Sequence, residues 1–78
     1  MKRLVKVVFP SSSPYRKVET WWLTTEHSQS FFNLPVLVDR NNEAHRPGDL
    51  PKGTVIRMPS KDIILAEGAK RAGYTVEH

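Results

Sequence analysis

The stretch PKGTVIRMPSKDIILAEGAKRAGYTV, residues Pro51–Val76, decides the fold of this chain. It reads as a turn, a strand that ends at Pro59, a helix and a last short strand. The helix is predicted near Ser60–Ala72, with Ser60 at the N-cap and Gly73 where a glycine ends a helix. A helix packed on a small sheet is the simplest way for a short chain to close one core.

The predicted helix has one apolar arc and one discordant residue. On a helical wheel the arc is formed by Leu65, Ala66, Ala69, Ala72 and Gly73. Gly68 lies within the helix, where glycine costs roughly 1 kcal/mol relative to alanine. Gly68 indicates either a close approach of the helix to the sheet or a break in the helix.

Further strands are predicted upstream. Arg3–Phe9 and Val18–Thr25 are rich in β-branched and aromatic residues, and a third strand starts in Pro35–Asp39. Both faces of Arg3–Phe9 are largely apolar, which predicts a central strand or one covered on both sides. The Asn41-Asn42 pair suits the turn of a hairpin. We therefore predict one small globular α+β domain over residues 1–78, with an antiparallel sheet, open or barrel-like, and one C-terminal helix.

The composition of the chain limits the kinds of site and the cellular location that it can have. The chain has 78 residues, no cysteine and a formal net charge of +4. Without cysteine there is no disulfide or thiolate–metal site, which fits a reducing compartment. The N-terminus lacks the features of a signal peptide, and no apolar run approaches the ~20 residues of a membrane span. We predict a cytoplasmic protein without a membrane span. Its positive charge permits contact with nucleic acid, an acidic membrane or an acidic protein face and does not choose among them.

The sequence contains no motif for catalysis or for binding a cofactor. His27, His45 and His78 lack metal-ligand spacing, and no glycine-rich loop precedes a helix. The serines have no nucleophile-elbow glycines around them, and the acidic residues form no evident acid–base pair. We predict that the protein is not an enzyme and has no metal site, cofactor or small-molecule substrate.

Two adjacent aromatic pairs are the main candidates for recognition. Neighbouring residues on a strand point to opposite faces, so only one tryptophan of Trp21-Trp22 can belong to a single-sided core. The other ring is either covered by a helix or loop, or is exposed beside basic residues as a binding anchor. The candidate partner-binding residues are Trp21, Trp22, Phe31, Phe32, Arg16 and Lys17.

Direct nucleic-acid binding is the alternative. Lysine and arginine side chains would contact phosphates, and one aromatic ring would stack on a base. The first strand and the start of the second could bring the basic residues together, although neither an RNA-recognition motif nor a helix-turn-helix pattern is present. The residues for this alternative are Lys2, Arg3, Lys6, Arg16 and Lys17.

The C-terminal half resembles a layout common among small bacteriophage proteins, carried by the turn Arg46–Asp49, the strand Val55–Pro59, Ala66 and Gly73. Small phage inhibitors of host RNA polymerase are similar in size and in lacking an active site. The resemblance implies a regulator that occupies a polymerase surface in the host cytoplasm and blocks σ-factor engagement or promoter opening. We also predict that the protein is a monomer. A third possibility is a virion or assembly component.

Overall fold

The computed structural model describes residues 2–25 and 34–78. These residues form a six-stranded sheet in the order β4-β3-β2-β1-β5-β6 and one α-helix. All neighbouring strands are antiparallel except β5 and β6, which are parallel. The elements are β1 (Lys2–Val8), β2 (Val18–Thr24), β3 (Val36–Val38), β4 (Ala44–His45), β5 (Val55–Arg57), α1 (Ile63–Ala72) and β6 (Thr75–Glu77). The predicted α+β class is confirmed, and the sheet is open, not closed into a barrel.

Strand β1 lies in the middle of the sheet, between β2 and β5. Its apolar composition predicted either a central strand or a strand covered on both faces, and the central position is confirmed. The second alternative is wrong, because Leu4 is 50% exposed. In the described part of the chain, α1 packs on the face of β1 that carries Val5 and Val7, and the exposed Lys2 and Lys6 share the opposite face with Leu4. At β3 that opposite face is also buried, since Val36 and Val38 are 2% and 3% exposed.

The core lies between the sheet and α1. Val5 and Val7 of β1 are buried with Trp21 of β2 in a cluster that also contains Leu65 and Ala69 of α1. Because successive side chains of a strand point to opposite faces, every second residue of β1 and β2 lies on this side of the sheet. We call this side of the sheet the inner face and the opposite side the outer face.

Helix α1 begins later than its sequence predicted. Its N-cap is Asp62, so the assignment of Ser60 as N-cap is wrong. The backbone N–H of Asp62 bonds to the carbonyl of Pro59, which closes a turn before the helix starts. The Asp62 carboxylate accepts a hydrogen bond from Arg3 Nε at 2.8 Å instead of capping the helix. Gly73 has φ of 112° at the C-cap, as predicted.

Gly68 marks a close approach of α1 to Pro35, the residue before β3. A Cβ atom built at this glycine would lie 3.1 Å from both Cγ and Cδ of the proline ring. This distance is shorter than an ordinary carbon–carbon contact, so the proline ring must move by a few tenths of an ångström to admit a side chain at this position. The close approach is therefore the correct interpretation of this discordant glycine, and the helix is not broken there.

We expect Gly68→Leu to lower the free energy of unfolding by about 1–3 kcal/mol, because its side chain overpacks the contact with Pro35. Gly68→Ala is the matched control. Its helix propensity improves by about 1 kcal/mol, which offsets part of the cost of moving the proline. Urea unfolding followed by circular dichroism measures both variants. A leucine variant as stable as the wild type would show that the space beside Pro35 is not limiting.

Tyr74 connects the end of α1 to the hairpin formed by β3 and β4. Its hydroxyl donates a hydrogen bond to the carbonyl of His45 and accepts one from the N–H of Leu37 at 3.1 Å. Within the hairpin, Asn42 adopts φ of 64°, the left-handed conformation that asparagine tolerates. The predicted Asn-Asn turn is confirmed, and the hairpin is held against the helix by a buried phenol.

Candidate functional site

The outer face carries an apolar patch that the described residues leave exposed. Leu4 of β1 stands directly opposite Trp22 of β2, and Val8 stands opposite Val18. Side chains opposite each other on antiparallel strands share one face and lie in contact distance. The exposed fractions are 50% for Leu4, 47% for Val18 and 38% for Trp22. Val18 lies four residues from Trp22 on β2, about 14 Å along the strand and beyond the pair Lys6 and Thr20. We call the adjacent residues Leu4 and Trp22 the outer patch.

The two tryptophans lie on opposite faces of β2. Trp21 is 2% exposed and belongs to the core, whereas Trp22 is the exposed ring of the outer patch. Of this pair, only Trp22 offers a surface to a partner in the folded protein. Phe31 and Phe32, the other candidate anchors, lie outside the described residues, as does His27.

Lys2 lies against the exposed tryptophan. Its Nζ is 4.6 Å from the centre of the Trp22 ring. A cation–π contact at an exposed site contributes about 0.5–1 kcal/mol, so it orders the lysine without immobilising it. The ammonium group also occupies one side of the ring, where a stacked base would have to lie.

Lys6 and Arg57 place two positive charges side by side on the outer face. They are direct cross-strand partners on β1 and β5. Arg57 Nε is 3.7 Å from Glu77 Oε1, and both of those side chains are more than half exposed. Within residues 2–25 and 34–78, Lys6 takes part in no ion pair. The row next to the outer patch is therefore positively charged.

The remaining basic candidates do not join this row. Arg3 pairs with Leu23 on the inner face and donates to Asp62, so it is committed to holding the helix start. Arg16 and Lys17 are exposed at the far end of β1, where the carbonyl of Lys17 accepts from the N–H of Phe9. That end is about 24 Å from Lys2 along the strand. Lys2 therefore lies far from Arg16 and Lys17, whereas Lys6 lies between the two groups along the strand.

A second polar cluster lies at the hairpin end of the inner face. His45 stacks on Trp21 with ring centres 4.9 Å apart, and its Nε2 is 2.7 Å from Asp39 Oδ2. Ligand atoms of Asp39, Glu43 and His45 all lie within 4.8 Å of one another. Along the sequence, His45 shows no metal-ligand spacing to another histidine or to a pair of carboxylates. The spacing becomes visible only when the Asn41-Asn42 turn folds the three side chains onto one hairpin.

Asp39 already uses its oxygens inside the protein. Oδ1 accepts from the N–H groups of Asn41 at 2.8 Å and Glu43 at 3.0 Å, and Oδ2 bonds to His45. Burial acts to raise the pKa of Asp39, but these hydrogen bonds, from the His45 ring first, outweigh it and lower the pKa overall. The cluster is explained as the support of the hairpin turn, where an aspartate commonly bonds to the backbone that follows it.

Comparison of this chain with protein-family models, with curated proteins and with solved structures returned no match. In the described part of the chain, no helix has both the length and the apolar character needed to cross a membrane. The functional interpretation below therefore depends on the outer face and on the chemistry of its residues.

Proposed function

We propose that this protein is a small regulatory module that binds a protein surface of a larger complex through the outer face of its sheet. The observation that carries the proposal is the exposed ring of Trp22, with the exposed side chain of Leu4 directly beside it. Tryptophan is among the residues most enriched at binding hot spots. An apolar centre with a polar rim is also the usual organisation of a protein interface.

The surroundings of Trp22 favour a protein partner over nucleic acid. Single-stranded nucleic acid is usually bound by successive aromatic rings along a positive groove. Here the exposed residue directly opposite the ring is the aliphatic Leu4, and Lys2 lies over the ring itself. Arg3 is engaged by Asp62. An aliphatic side chain beside a single tryptophan fits the apolar core of a protein contact better than a path for bases.

Bacterial RNA polymerase is the first complex to test, on the strength of the resemblance in the C-terminal half. In this proposal the protein acts by occupancy: it covers a polymerase surface and inhibits transcription without any catalytic residue. The binding energy would come from burying the apolar patch, and the basic rim would steer the encounter.

The test is recovery of polymerase by the tagged protein from a nuclease-treated bacterial lysate, followed by binding to purified polymerase. We expect Trp22→Ala to weaken binding at least about tenfold, since a hot-spot residue contributes 2 kcal/mol or more. Ile64→Ala is the matched control, because Ile64 is 79% exposed on α1, away from the outer face.

Three outcomes would contradict the proposal. Equal binding by Trp22→Ala and the wild type would exclude the outer patch as the contact. Loss of every partner after nuclease treatment would favour the nucleic-acid alternative. Recovery of a different complex through Trp22 would retain the binding face and reject polymerase as the partner. Circular dichroism of both variants establishes that each is folded.

A further inference from the structure

The outer face has a repeating order of basic and apolar side chains. Along β1 it presents Lys2, Leu4 and Lys6, three residues that alternate with the buried positions of the strand. The neighbouring strands reinforce this order, because Trp22 lies beside Leu4 and Arg57 lies beside Lys6. Residues two apart on a strand are about 7 Å apart. This part of the face therefore carries a single basic residue, then an apolar pair, then a basic pair: Lys2, Leu4 with Trp22, and Lys6 with Arg57.

The charges in this order are poorly compensated within the described residues. Like charges directly opposite each other on neighbouring strands are destabilising, and Lys6 and Arg57 are such a pair. The nearest carboxylate, that of Glu77, is 61% exposed and 3.7 Å from Arg57. An exposed pair of this kind contributes little to stability. An acidic partner would relieve the repulsion, so the arrangement favours binding more than folding.

We propose that the outer face recognises an acidic segment of protein in which apolar and carboxylate side chains alternate at about 7 Å. This inference rests on the proposed function and specifies the chemistry of its partner. An apolar side chain would lie on Leu4 and Trp22. A carboxylate on one side would reach Lys6 and Arg57, and a carboxylate on the other side would reach Lys2.

An extended segment meets this spacing directly. In an extended chain, residues i and i+2 lie on one side and are separated by the same rise as residues of β1. A sequence of the type Glu-Ser-Leu-Ser-Glu therefore places its leucine between two carboxylates at the distances that the rows require. A carboxylate beside Lys2 would also draw the ammonium group away from the Trp22 ring, which would open the ring to the leucine.

The experiment uses synthetic peptides as probes of the isotope-labelled full chain. A blocked peptide with two Glu-Ser-Leu-Ser-Glu units is titrated while backbone amide and indole resonances are followed by NMR. We expect shifts at Lys6, Trp22 and Arg57, and weaker binding as salt rises. The same peptide with glutamine in place of every glutamate is expected to bind at least tenfold more weakly. A thymidine oligonucleotide is the nucleic-acid probe.

Two charge-reversal variants supply the matched comparison. Lys6→Glu with Arg57→Glu is expected to weaken peptide binding at least tenfold. Lys70→Glu with Arg71→Glu makes the same change of net charge on exposed residues of α1 and is expected to weaken it less than threefold. Equal losses in the two double variants would show a general charge effect and overturn the inference.

Other results would also overturn it. Equal affinity for the glutamate and glutamine peptides would show that carboxylates are not recognised. Tighter binding of the oligonucleotide at the same amides would assign the face to nucleic acid. If Lys6→Glu with Arg57→Glu still captures the complex that Trp22→Ala loses, the proposed function stands and the acidic-segment inference fails. If Trp22→Ala captures it as well as the wild type, the proposed function itself fails.

Discussion

Replacing Trp21 with alanine is expected to lower the free energy of unfolding by about 3–5 kcal/mol. Trp21 is 2% exposed, and its ring contacts Phe9 at 5.2 Å and Tyr15 at 5.4 Å between ring centres. Its removal leaves a cavity between these rings and the stacked His45. Because a domain is stable by only about 5–15 kcal/mol, with small ones near the low end, we expect a large unfolded fraction.

The matched control for this change is the next residue on the same strand. Trp22→Ala removes a ring of the same size from the outer face, where it is 38% exposed. It loses cross-strand contacts and the cation–π contact with Lys2, and we expect a cost of about 1 kcal/mol. Urea unfolding at neutral pH, followed by circular dichroism, compares the two. Equal destabilisation would contradict the assignment of one ring to the core and the other to the surface.

Tyr74→Phe is expected to lower the free energy of unfolding by about 1–3 kcal/mol for each backbone group that it leaves without its partner. The phenol is 6% exposed; it accepts a hydrogen bond from the N–H of Leu37 and donates one to the carbonyl of His45. Phenylalanine keeps the ring but provides neither hydrogen bond. Because the two groups belong to β3 and β4, we expect their amides to exchange faster with solvent in the variant. Unchanged stability and exchange would show that this phenol does not hold the hairpin.

Tyr74 also makes the free energy of unfolding depend on pH in the alkaline range. Burial raises the pKa of Tyr74 to about 12, although the hydrogen bond from the N–H of Leu37 acts in the opposite direction. The folded protein thus keeps the phenolic proton at a pH where the unfolded chain, with a tyrosine pKa near 10, has lost it. The contribution is fully present below about pH 10 and is lost as pH rises toward about 12.

Tyr74→Phe removes this pH dependence. The difference in free energy of unfolding between the wild type and the variant is expected to shrink between about pH 10 and pH 12. Urea unfolding at a series of pH values measures it, and comparison with the variant cancels the titration of the lysines. A difference that stays constant over this range would show that the folded protein does not protect the phenol.

Local patterns predicted the elements whose causes are local. The β-branched and aromatic residues of β1 and β2 identified two strands, and Gly73 identified the end of the helix, because backbone conformation there follows from neighbouring residues. The start of α1 was missed by two residues. Both Ser60 and Asp62 are suitable N-caps, and the choice depends on a turn at Pro59 and on Arg3, which is distant in sequence.

Sequence proximity was misleading for the basic residues. Arg3 adjoins Lys2 in the chain but lies on the inner face, whereas Lys6 and Arg57 are far apart in the chain and lie side by side. Strand pairing decides these neighbourhoods, and a single sequence carries no direct signal of register between distant strands. The charged row of the outer face therefore could not be predicted.

By itself, the sequence determined the α+β class, the C-terminal helix and the fact that one of Trp21 and Trp22 must leave a single-sided core. Side-chain alternation and helix-end chemistry act over a few residues, so a single sequence displays them. Only the tertiary structure decided that Trp22 is the exposed ring, that Leu4 lies beside it and that Lys6 and Arg57 form the next row. The physical reason is that burial depends on which side of the sheet the helix covers, and long-range packing makes that choice.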